Sequence, residues 1–441
     1  MKKFFLIVFV SIGFLACHTS NDYKKITQDP ALYANTVHEL NQVVMGNNFS
    51  PIVASRNYAY AAIAGYEATA AGSPNQYQSL AGQLKGLTKL PIPEDTSKID
   101  FSFASILAFS MVGQAVTFPE GSMQQYVDSL KKLVKAHGMS SEMLTATEAY
   151  SKKIGAAIIA WSKKDNYPQT RNAEKYTVKN IPGRWVPTPP MYASAAEPHW
   201  MEIRTMVLDS ASQFRPAPPA TFNIKDKKSE YYINVLLVKN AVDSLTDEQK
   251  HIANFWDDNP FKMNVNGHVM SSTKKFSPPG HWMSIVGIAN KTAQGDFKTL
   301  TYAYAKTAIA VFDAFIHCWD AKYAYNMVRP ETVINKYFDA NWRPLLQTPA
   351  FPEYTCGHST ISSAAAEALT SVYGDNKAYT DSTELEFGIA NRHFTSFRQA
   401  AEENNWARFY GGLHFHNSCI TSTAQGRLVG NWVVTHLKMK K

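Results

Sequence analysis

Three short segments in the last third of the chain combine basic side chains, histidines and glycines. The first, K-Y-A-Y-N-M-V-R-P, covers residues 322–330. The second, F-P-E-Y-T-C-G-H-S, covers 351–359, and the third, R-F-Y-G-G-L-H, covers 408–414. Lysine and arginine bind oxyanions through charge-assisted hydrogen bonds, and a histidine beside them can move protons. Together the segments predict a pocket for a compact, multiply charged oxyanion.

The spacing within the first segment suggests how its two cations are positioned. Lys322 and Arg329 are seven residues apart, which is two turns of an α-helix. We therefore expect both side chains on the same side of one long helix over residues 297–329. Pro330 is expected to end that helix, because it restricts the preceding residue and has no backbone N–H to donate.

The other two segments predict an anion-binding helix start and a turn. Gly357 and His358 lead into S-T-I-S-S-A-A-A-E-A-L-T-S-V-Y, which favours a helix. A glycine before a helix lets backbone N–H groups approach an anion, and the helix N-terminus favours negative charge. Arg408 offers a bidentate fork. The Gly-Gly pair after Tyr410 predicts a turn that brings His414 to the same point.

Taken in order, K-x6-R-P, a P-S-G-H-like element and R-x5-H resemble a known superfamily signature. It is the signature of the type-2 phosphatidic acid phosphatases and vanadium haloperoxidases, and here it covers roughly residues 310–435. Trp319, three residues before the lysine, and F-P-E-Y before the G-H resemble the vanadium-dependent haloperoxidases. The spacing between the motifs resembles the bacterial iodoperoxidase branch.

The resemblance implies a vanadate cofactor, with His414 as the single protein ligand to vanadium and His358 as the acid–base partner. The vanadate oxygens would be held by Lys322, Arg329, Cys356, the Gly357 backbone and Arg408. Hydrogen peroxide, polarised by Lys322, would be attacked by a halide to give hypohalous acid. Trp319 and Phe351 match family positions near the halide site, and an apolar wall suits a weakly hydrated anion such as iodide.

Two positions depart from the family pattern. Cys356 stands where the family has a serine that bonds the oxyanion, and Ala407 replaces the serine that usually precedes the arginine. Because a thiol is a weaker donor than a hydroxyl, the cysteine predicts weaker oxyanion binding and slower peroxidase turnover.

The same residues suit two other functions. In a phosphatase, His414 would attack phosphorus to give a phosphohistidine, and His358 would protonate the leaving alcohol. In a non-catalytic lipoprotein, the pocket would only bind an oxyanion. The large N-terminal region and Trp319 favour the peroxidase.

Composition limits the classes of partner. The chain has 441 residues, of which 45% are hydrophobic and 18% charged, enough to bury one large core or two. The net charge is +8, but the lysines are scattered and no basic stripe interleaves with aromatics, so nucleic-acid binding is not expected. The sequence has no HExxH and no paired metal-ligand spacing.

The N-terminus predicts export. Lys2 and Lys3 precede an apolar run, and Cys17 follows a small residue at the end of residues 1–16. This resembles a bacterial lipoprotein signal with Cys17 lipidated, and a plain signal peptide is the alternative. No later run reaches the ~18 apolar residues that span a bilayer. We expect a periplasmic or cell-surface protein that meets the membrane only through a lipid anchor.

Three further cysteines lie beside the motifs: Cys318, Cys356 and Cys419. A disulfide between Cys356 and Cys419 would tie the second segment to the chain after His414. Cys318 with either is a second pairing, and buried free thiols are the alternative.

Helical periodicity runs through the chain and strand-like alternation is nearly absent, which predicts an all-α fold of helical bundles with long loops. Helices are predicted at about 30–44, 51–72, 101–117, 121–137, 141–164, 228–243, 246–257, 297–329, 358–373, 384–404 and 421–437. After a signal over residues 1–17, we expect an N-terminal helical region over 18–224. A C-terminal bundle over 225–441 would carry the site.

Overall fold

The computed structural model describes residues 21–259, 262–266 and 269–441. The predicted leader and Cys17 lie outside these residues. The first nine helices are α1 Tyr23–Thr27, α2 Pro30–Gly46, α3 Pro51–Ala71, α4 Phe101–Ala115, α5 Gln124–Ala136, α6 Ser141–Ser162, α7 Tyr167–Asn172, α8 Glu230–Asp243 and α9 Asp247–Phe255. The others are α10 Pro278–Thr292, α11 Phe297–Tyr325, α12 Pro330–Tyr337, α13 Gly357–Tyr373, α14 Phe397–Tyr410 and α15 His416–His436.

Strands are few in the described part of the chain. Strand β1 (Lys262–Asn266) pairs antiparallel with β2 (Val269–Thr273), and β3 (Tyr379–Asp381) pairs antiparallel with β4 (Arg392–Phe394). The all-α prediction is confirmed.

Helix α11 lies at the centre of the fold. Asp296 caps its start by accepting from the Thr299 backbone N–H. Its side chains are buried almost without break from Phe297 to Lys322, because α3 packs on one side of the helix and α13 on another. A helix that is apolar all round needs such neighbours on every side. The central position of α11 places its C-terminal end, and hence Lys322, deep inside the protein.

Helices α13 and α15 approach closely where glycine leaves room. A Cβ on Gly426 of α15 would lie 2.1 Å from the Thr360 carbonyl oxygen of α13. One turn later, a Cβ on Gly430 would lie 2.8 Å from the Cβ of Glu367. Side chains at these positions would push the helices apart, so the two glycines fix the position of the α13 N-terminus, which carries Gly357 and His358.

The predicted helix over 384–404 is wrong in its first half. A short 3-10 turn, Thr383–Phe387, is followed by Gly388 with a φ of 78° and then by β4. A left-handed glycine breaks an α-helix, and α14 begins only at Phe397. The residues before it pair with β3 instead.

The main apolar core of the described residues runs through both halves of the chain, from Tyr23 of α1 to Met439 near the C-terminus, and two smaller apolar clusters lie apart from it. The boundary near residue 225 stays a prediction. No helix in the described residues has both the length and the apolar character needed to cross a bilayer.

Candidate active site

Lys322 and Arg329 lie on two elements rather than on one helix. Helix α11 ends at Tyr325, and Asn326 takes the left-handed conformation, with φ 50° and ψ 45°. Arg329 is the N-cap of α12, and Pro330 occupies its first turn. The prediction of one helix over 297–329 is therefore wrong. Proline begins a helix here, because the first turn has no use for its missing N–H.

An N-terminal loop holds the turn between the two helices. The Trp185 backbone N–H donates to the Asn326 carbonyl at 3.0 Å, and the Val328 N–H donates to the Gly183 carbonyl at 3.0 Å. On the other side, the Glu353 N–H donates to the Met327 carbonyl at 2.9 Å. The spacing between the Lys322 and Arg329 side chains thus depends on chain well over a hundred residues away.

Lys322 is fully buried. Its Nζ donates to the carbonyl oxygens of Pro352 at 2.8 Å, Glu353 at 3.0 Å and Thr355. The ammonium also lies 5.0 Å from the ring centroid of Phe351. Burial lowers the pKa of Lys322 to about 8, since removal from water disfavours the charged form.

Arg329 and Arg408 each keep an unused donor. Arg329 donates from Nε to the Phe351 carbonyl and from Nη1 to the Leu413 carbonyl, both at 2.9 Å. Arg408 donates from Nη1 to the Trp256 carbonyl at 3.2 Å. Within the described residues, Arg329 Nη2 and Arg408 Nε are buried without a hydrogen-bond partner. Burial lowers the pKa of Arg329 to about 10, which still leaves it cationic at neutral pH.

The ring of His414 is fixed from both sides. Its Nε2 lies 3.0 Å from Arg329 Nη1, which can only donate, so Nε2 is the acceptor. Its Nδ1 must then carry the proton and donate to the Glu353 carboxylate at 2.8 Å. Glu353 is itself held by the Phe415 N–H at 3.0 Å and the Ser418 hydroxyl at 2.9 Å. The Nε2 lone pair is therefore fixed in direction and accepts from Arg329, a contact that a ligand would have to replace. The predicted turn before it is present, with Gly412 at a φ of 77°.

The second segment forms the start of α13. Cys356 is the N-cap, its backbone N–H donates to the Ser422 hydroxyl at 2.7 Å, and Gly357 is the first helical residue. Burial raises the pKa of the Cys356 thiol, but the Cys419 thiol and His414 outweigh it and hold that pKa well below its usual range. Within the described residues, Cys318, Cys356 and Cys419 are buried free thiols, so the predicted disulfide between Cys356 and Cys419 and its alternative with Cys318 are both absent.

His358 lies at the wall of a cavity of about 430 Å³. The same cavity is lined by Arg408, by Phe351 and by apolar residues of the N-terminal half such as Ile52 and Met191. In the described residues the His358 Nε2 has no hydrogen-bond partner. Burial and the Arg408 charge hold the pKa of His358 well below 6.5, so the ring is neutral and can accept a proton.

Trp319 and Phe351 pack against each other beside the site. Their ring centroids are 5.0 Å apart. The Trp319 Nε1 donates to the Ala196 carbonyl at 3.2 Å. Phe351 is covered by Lys322 on one side and by Arg329 at 5.0 Å. The structure thus brings the predicted pocket residues together, while their individual roles stay predictions; Cys17 lies outside the described residues.

Comparison with known proteins agrees with this geometry. The family model "VCPO second helical-bundle domain" matches residues 302–440. The crystal structure of the first bacterial vanadium-dependent iodoperoxidase is 41% identical, with a TM-score of 0.87 over 93% of this chain and 97% of that one. The chain belongs to the vanadium-dependent haloperoxidases.

Two more distant members of this fold are solved. The apo form of a bacterial vanadium-dependent chloroperoxidase is 18% identical, with a TM-score of 0.64 over 87% of this chain and 92% of that one. A holo form is 17% identical, with a TM-score of 0.60 over 88% and 93%. At that identity they support the haloperoxidase fold alone. A search of curated proteins gave no significant match.

Sequence reasoning assigned no role to Glu353, although it stands within the F-P-E-Y motif. A glutamate between proline and tyrosine, a few residues before G-H, was the available signal. Its partners Phe415 and Ser418 come from the start of α15, so nothing in the local sequence pairs them with Glu353.

Proposed function

We propose that the protein is a vanadate-dependent haloperoxidase that oxidises iodide with hydrogen peroxide to hypoiodous acid. The observation that carries the proposal is a set of buried, unpaired groups around one point. Arg329 Nη2, Arg408 Nε and His358 Nε2 lack partners in the described residues. Each buried arginine donor without a hydrogen bond costs about 1–3 kcal/mol, and an oxyanion would satisfy both while His358 Nε2 stays free to accept a proton. The iodoperoxidase likeness supports this choice of ion and halide.

The residues fit vanadate in charge and in donor type. His414 Nε2 would give the metal the lone pair that now accepts from Arg329. Arg329, Arg408 and the α13 N-terminus offer N–H donors for the oxygens, and Lys322 adds a fixed positive charge. When bound, vanadate supplies a Lewis-acid centre that takes up hydrogen peroxide and makes its oxygen electrophilic. Three cations against the single carboxylate of Glu353 leave two positive charges in excess, which suits a dianion.

His358 and Lys322 would move and direct protons. His358 is held neutral, so its Nε2 can accept a proton from incoming hydrogen peroxide and later return it to the departing hydroxide as water. Lys322 is held in place by three carbonyl oxygens, so its charge stays fixed beside the site. The overall reaction balances as iodide, hydrogen peroxide and a proton giving hypoiodous acid and water.

The wall of Phe351 and Trp319 supports iodide as the halide. The two rings cover the cationic side chains, and a soft, weakly hydrated anion loses little on leaving water for such a surface.

The test is vanadate-dependent iodide oxidation. Purified protein is incubated with orthovanadate and desalted, and triiodide formation is followed with hydrogen peroxide. Nitrophenyl phosphate hydrolysis by vanadate-free protein is measured in parallel. We expect iodide oxidation that depends on vanadate, its loss together with vanadate binding in His414→Ala, and full activity in His137→Ala, an exposed histidine on α5's C-terminal side. Hydrolysis without iodide oxidation would make the protein a phosphatase.

We further propose that the protein is an exported lipoprotein anchored through Cys17. The basic residues Lys2 and Lys3, the apolar run after them and the small residue before Cys17 support this. In a bacterial host, labelled palmitate should enter the purified wild-type protein, and the purified Cys17→Ser protein should stay unlabelled. Labelling of Cys17→Ser would contradict the anchor.

A further inference from the structure

A second buried polar cluster lies outside the oxyanion pocket. It consists of Asp258 after α9, His281 in α10, Asp381 at the end of β3, Glu384 in the following 3-10 turn, and Lys275. The side chains of the histidine and the three acids are at most 1% exposed. The fold brings residues 258–281 together with residues 381–384, about a hundred residues later in the chain.

His281 is oriented by one carboxylate and faces two others. Its Nε2 lies 2.9 Å from Asp381 Oδ2, and Asp381 is held by the Thr383 N–H at 3.0 Å. Its Nδ1 lies 2.9 Å from Asp258 Oδ1 and 3.7 Å from Glu384 Oε1. One atom from each of Asp258, His281 and Glu384 therefore lies within 4.8 Å of the other two.

In the part of the chain that the structure describes, Asp258 and Glu384 each have a carboxylate oxygen without a hydrogen bond. Asp258 Oδ2 and Glu384 Oε1 are buried and have no hydrogen-bond partner in the described residues. Lys275 contacts the other oxygen of Glu384: its Nζ lies 2.6 Å from Glu384 Oε2 and donates to the Asp257 carbonyl at 3.2 Å. Three carboxylates against Lys275 and a protonated His281 leave one negative charge in excess, and the excess rises to two once His281 loses its proton to act as a ligand. Buried, unpaired carboxylate oxygens are costly unless a cation meets them.

We propose that Asp258, His281 and Glu384 bind a divalent first-row transition metal, represented by Zn²⁺, through one oxygen each and the His281 Nδ1. Metal–ligand bonds of about 2.0–2.2 Å in a tetrahedron put ligand atoms about 3.3–3.6 Å apart. The distances from His281 Nδ1 to Asp258 Oδ1, 2.9 Å, and to Glu384 Oε1, 3.7 Å, lie on either side of that spacing. A nitrogen ligand selects against Mg²⁺ and Ca²⁺.

Asp381 completes the arrangement as a positioning residue. A metal-binding histidine usually gives its other ring N–H to a carboxylate, which fixes the tautomer and aims the free nitrogen. The Asp381–His281 hydrogen bond leaves Nδ1 to face the metal. Without metal, the same atoms form an ion-pair network. Burial lowers the pKa of His281, but Asp258 and Asp381 outweigh it and hold that pKa well above 6.5.

The cluster is adjacent to the oxyanion pocket. The Trp256 ring stacks on His281 with centroids 4.7 Å apart, and the Trp256 carbonyl accepts from Arg408. Asp258 also lines the cavity that His358 and Arg408 share. A metal here would fix the segment that carries one of the hydrogen bonds of Arg408, and its role would be structural.

Zinc binding is measured on purified protein that has been stripped with EDTA, with no vanadate or halide present. Titration calorimetry and elemental analysis should find one Zn²⁺ per chain. Glu384→Gln should weaken binding by more than about 100-fold, because a ligand matters more than the partners whose loss costs about 10–100-fold. Glu386→Gln, two residues away and exposed, should bind as the wild type does. No zinc binding by the wild type, or equal binding by Glu384→Gln, would overturn the proposal.

Two further measurements guard against a misfolded variant. Asp381→Asn keeps all three ligands and should weaken zinc binding by about 10–100-fold. Cobalt bound to the wild type should give the visible absorption of a four-coordinate ion, and Glu386→Gln should reproduce it. A six-coordinate spectrum would exclude the proposed site. These outcomes are independent of iodide oxidation, so the two proposals can fail separately.

Discussion

The oxyanion pocket and the acidic cluster adjacent to it are built alike with opposite charge. In the pocket, Lys322, Arg329 and Arg408 outnumber Glu353, and the unpaired atoms include arginine N–H donors. In the cluster, Asp258, Asp381 and Glu384 outnumber Lys275, and the unpaired atoms are carboxylate oxygens. Each has a histidine whose ring is oriented by a carboxylate, His414 by Glu353 and His281 by Asp381.

The comparison teaches that unsatisfied buried atoms indicate the charge of the missing ligand. A folded protein rarely leaves such atoms unpaired, because each costs about 1–3 kcal/mol. Unpaired donors around a net positive charge indicate an anion, and unpaired acceptors around a net negative charge indicate a cation. Trp256 touches both sites, since its ring stacks on His281 and its carbonyl accepts from Arg408.

The largest effect is expected when the pocket loses a cation. Arg408→Met keeps the volume but removes charge-assisted hydrogen bonds of up to about 3 kcal/mol, so vanadate affinity should fall by about 100-fold. Zinc affinity should change by less than about threefold. Arg427→Met, exposed on α15, is the control. Equal losses at both sites would mean that they are not separate.

Removing the carboxylate behind His414 should have the next largest effect. Glu353→Gln keeps the shape but loses the charge that fixes the ring, and vanadate affinity should fall by about 30-fold, within the range for such partners. Equilibrium dialysis with vanadate would measure it, with the exposed Glu120→Gln as control. An unchanged affinity would show that the Arg329 contact alone orients His414.

The pocket should also weaken as pH rises. Lys322 is cationic below its pKa of about 8 and neutral above it, so vanadate affinity should fall by about tenfold as pH rises through about 8. Lys322→Met should bind more weakly at neutral pH and lack this step. Because vanadate's own protonation is common to both proteins, their difference isolates the lysine. An identical pH dependence in both would exclude Lys322 as the titrating group.

The smallest expected effect concerns the departure from the family pattern. Cys356→Ser supplies a stronger donor at the α13 N-terminus, worth about 0.5–1.5 kcal/mol, so vanadate affinity and iodide oxidation should rise by about threefold. Cys318→Ser changes a buried thiol that contacts Thr355, and it should leave both unchanged. A fall in activity for Cys356→Ser would show that the thiol is suited to this pocket.

Residue types and local spacing were enough to predict most of the helices and most of the residues of the oxyanion pocket. The helices follow from periodicity and caps, which depend on neighbours within a few residues. The family signature also predicted which cations and histidines would meet. Local reasoning failed at Pro330, where a proline can end one helix or begin the next. The sequence alone did not decide whether Pro330 ends α11 or begins α12. The hydrogen bonds of Gly183 and Trp185 with the turn decide it, and they are visible only in the structure.

The reasons for these limits are physical. The charge and hydrogen-bonding groups of a side chain depend only on its residue type, so the sequence alone predicted that residues 322–414 bind an anion. The pairing of Glu353 with His414 depends on how α13 packs on α15. The meeting of Asp258, His281 and Glu384 joins segments with no common spacing. Such contacts are selected by burial of the whole core, and they exist only once the chain has folded.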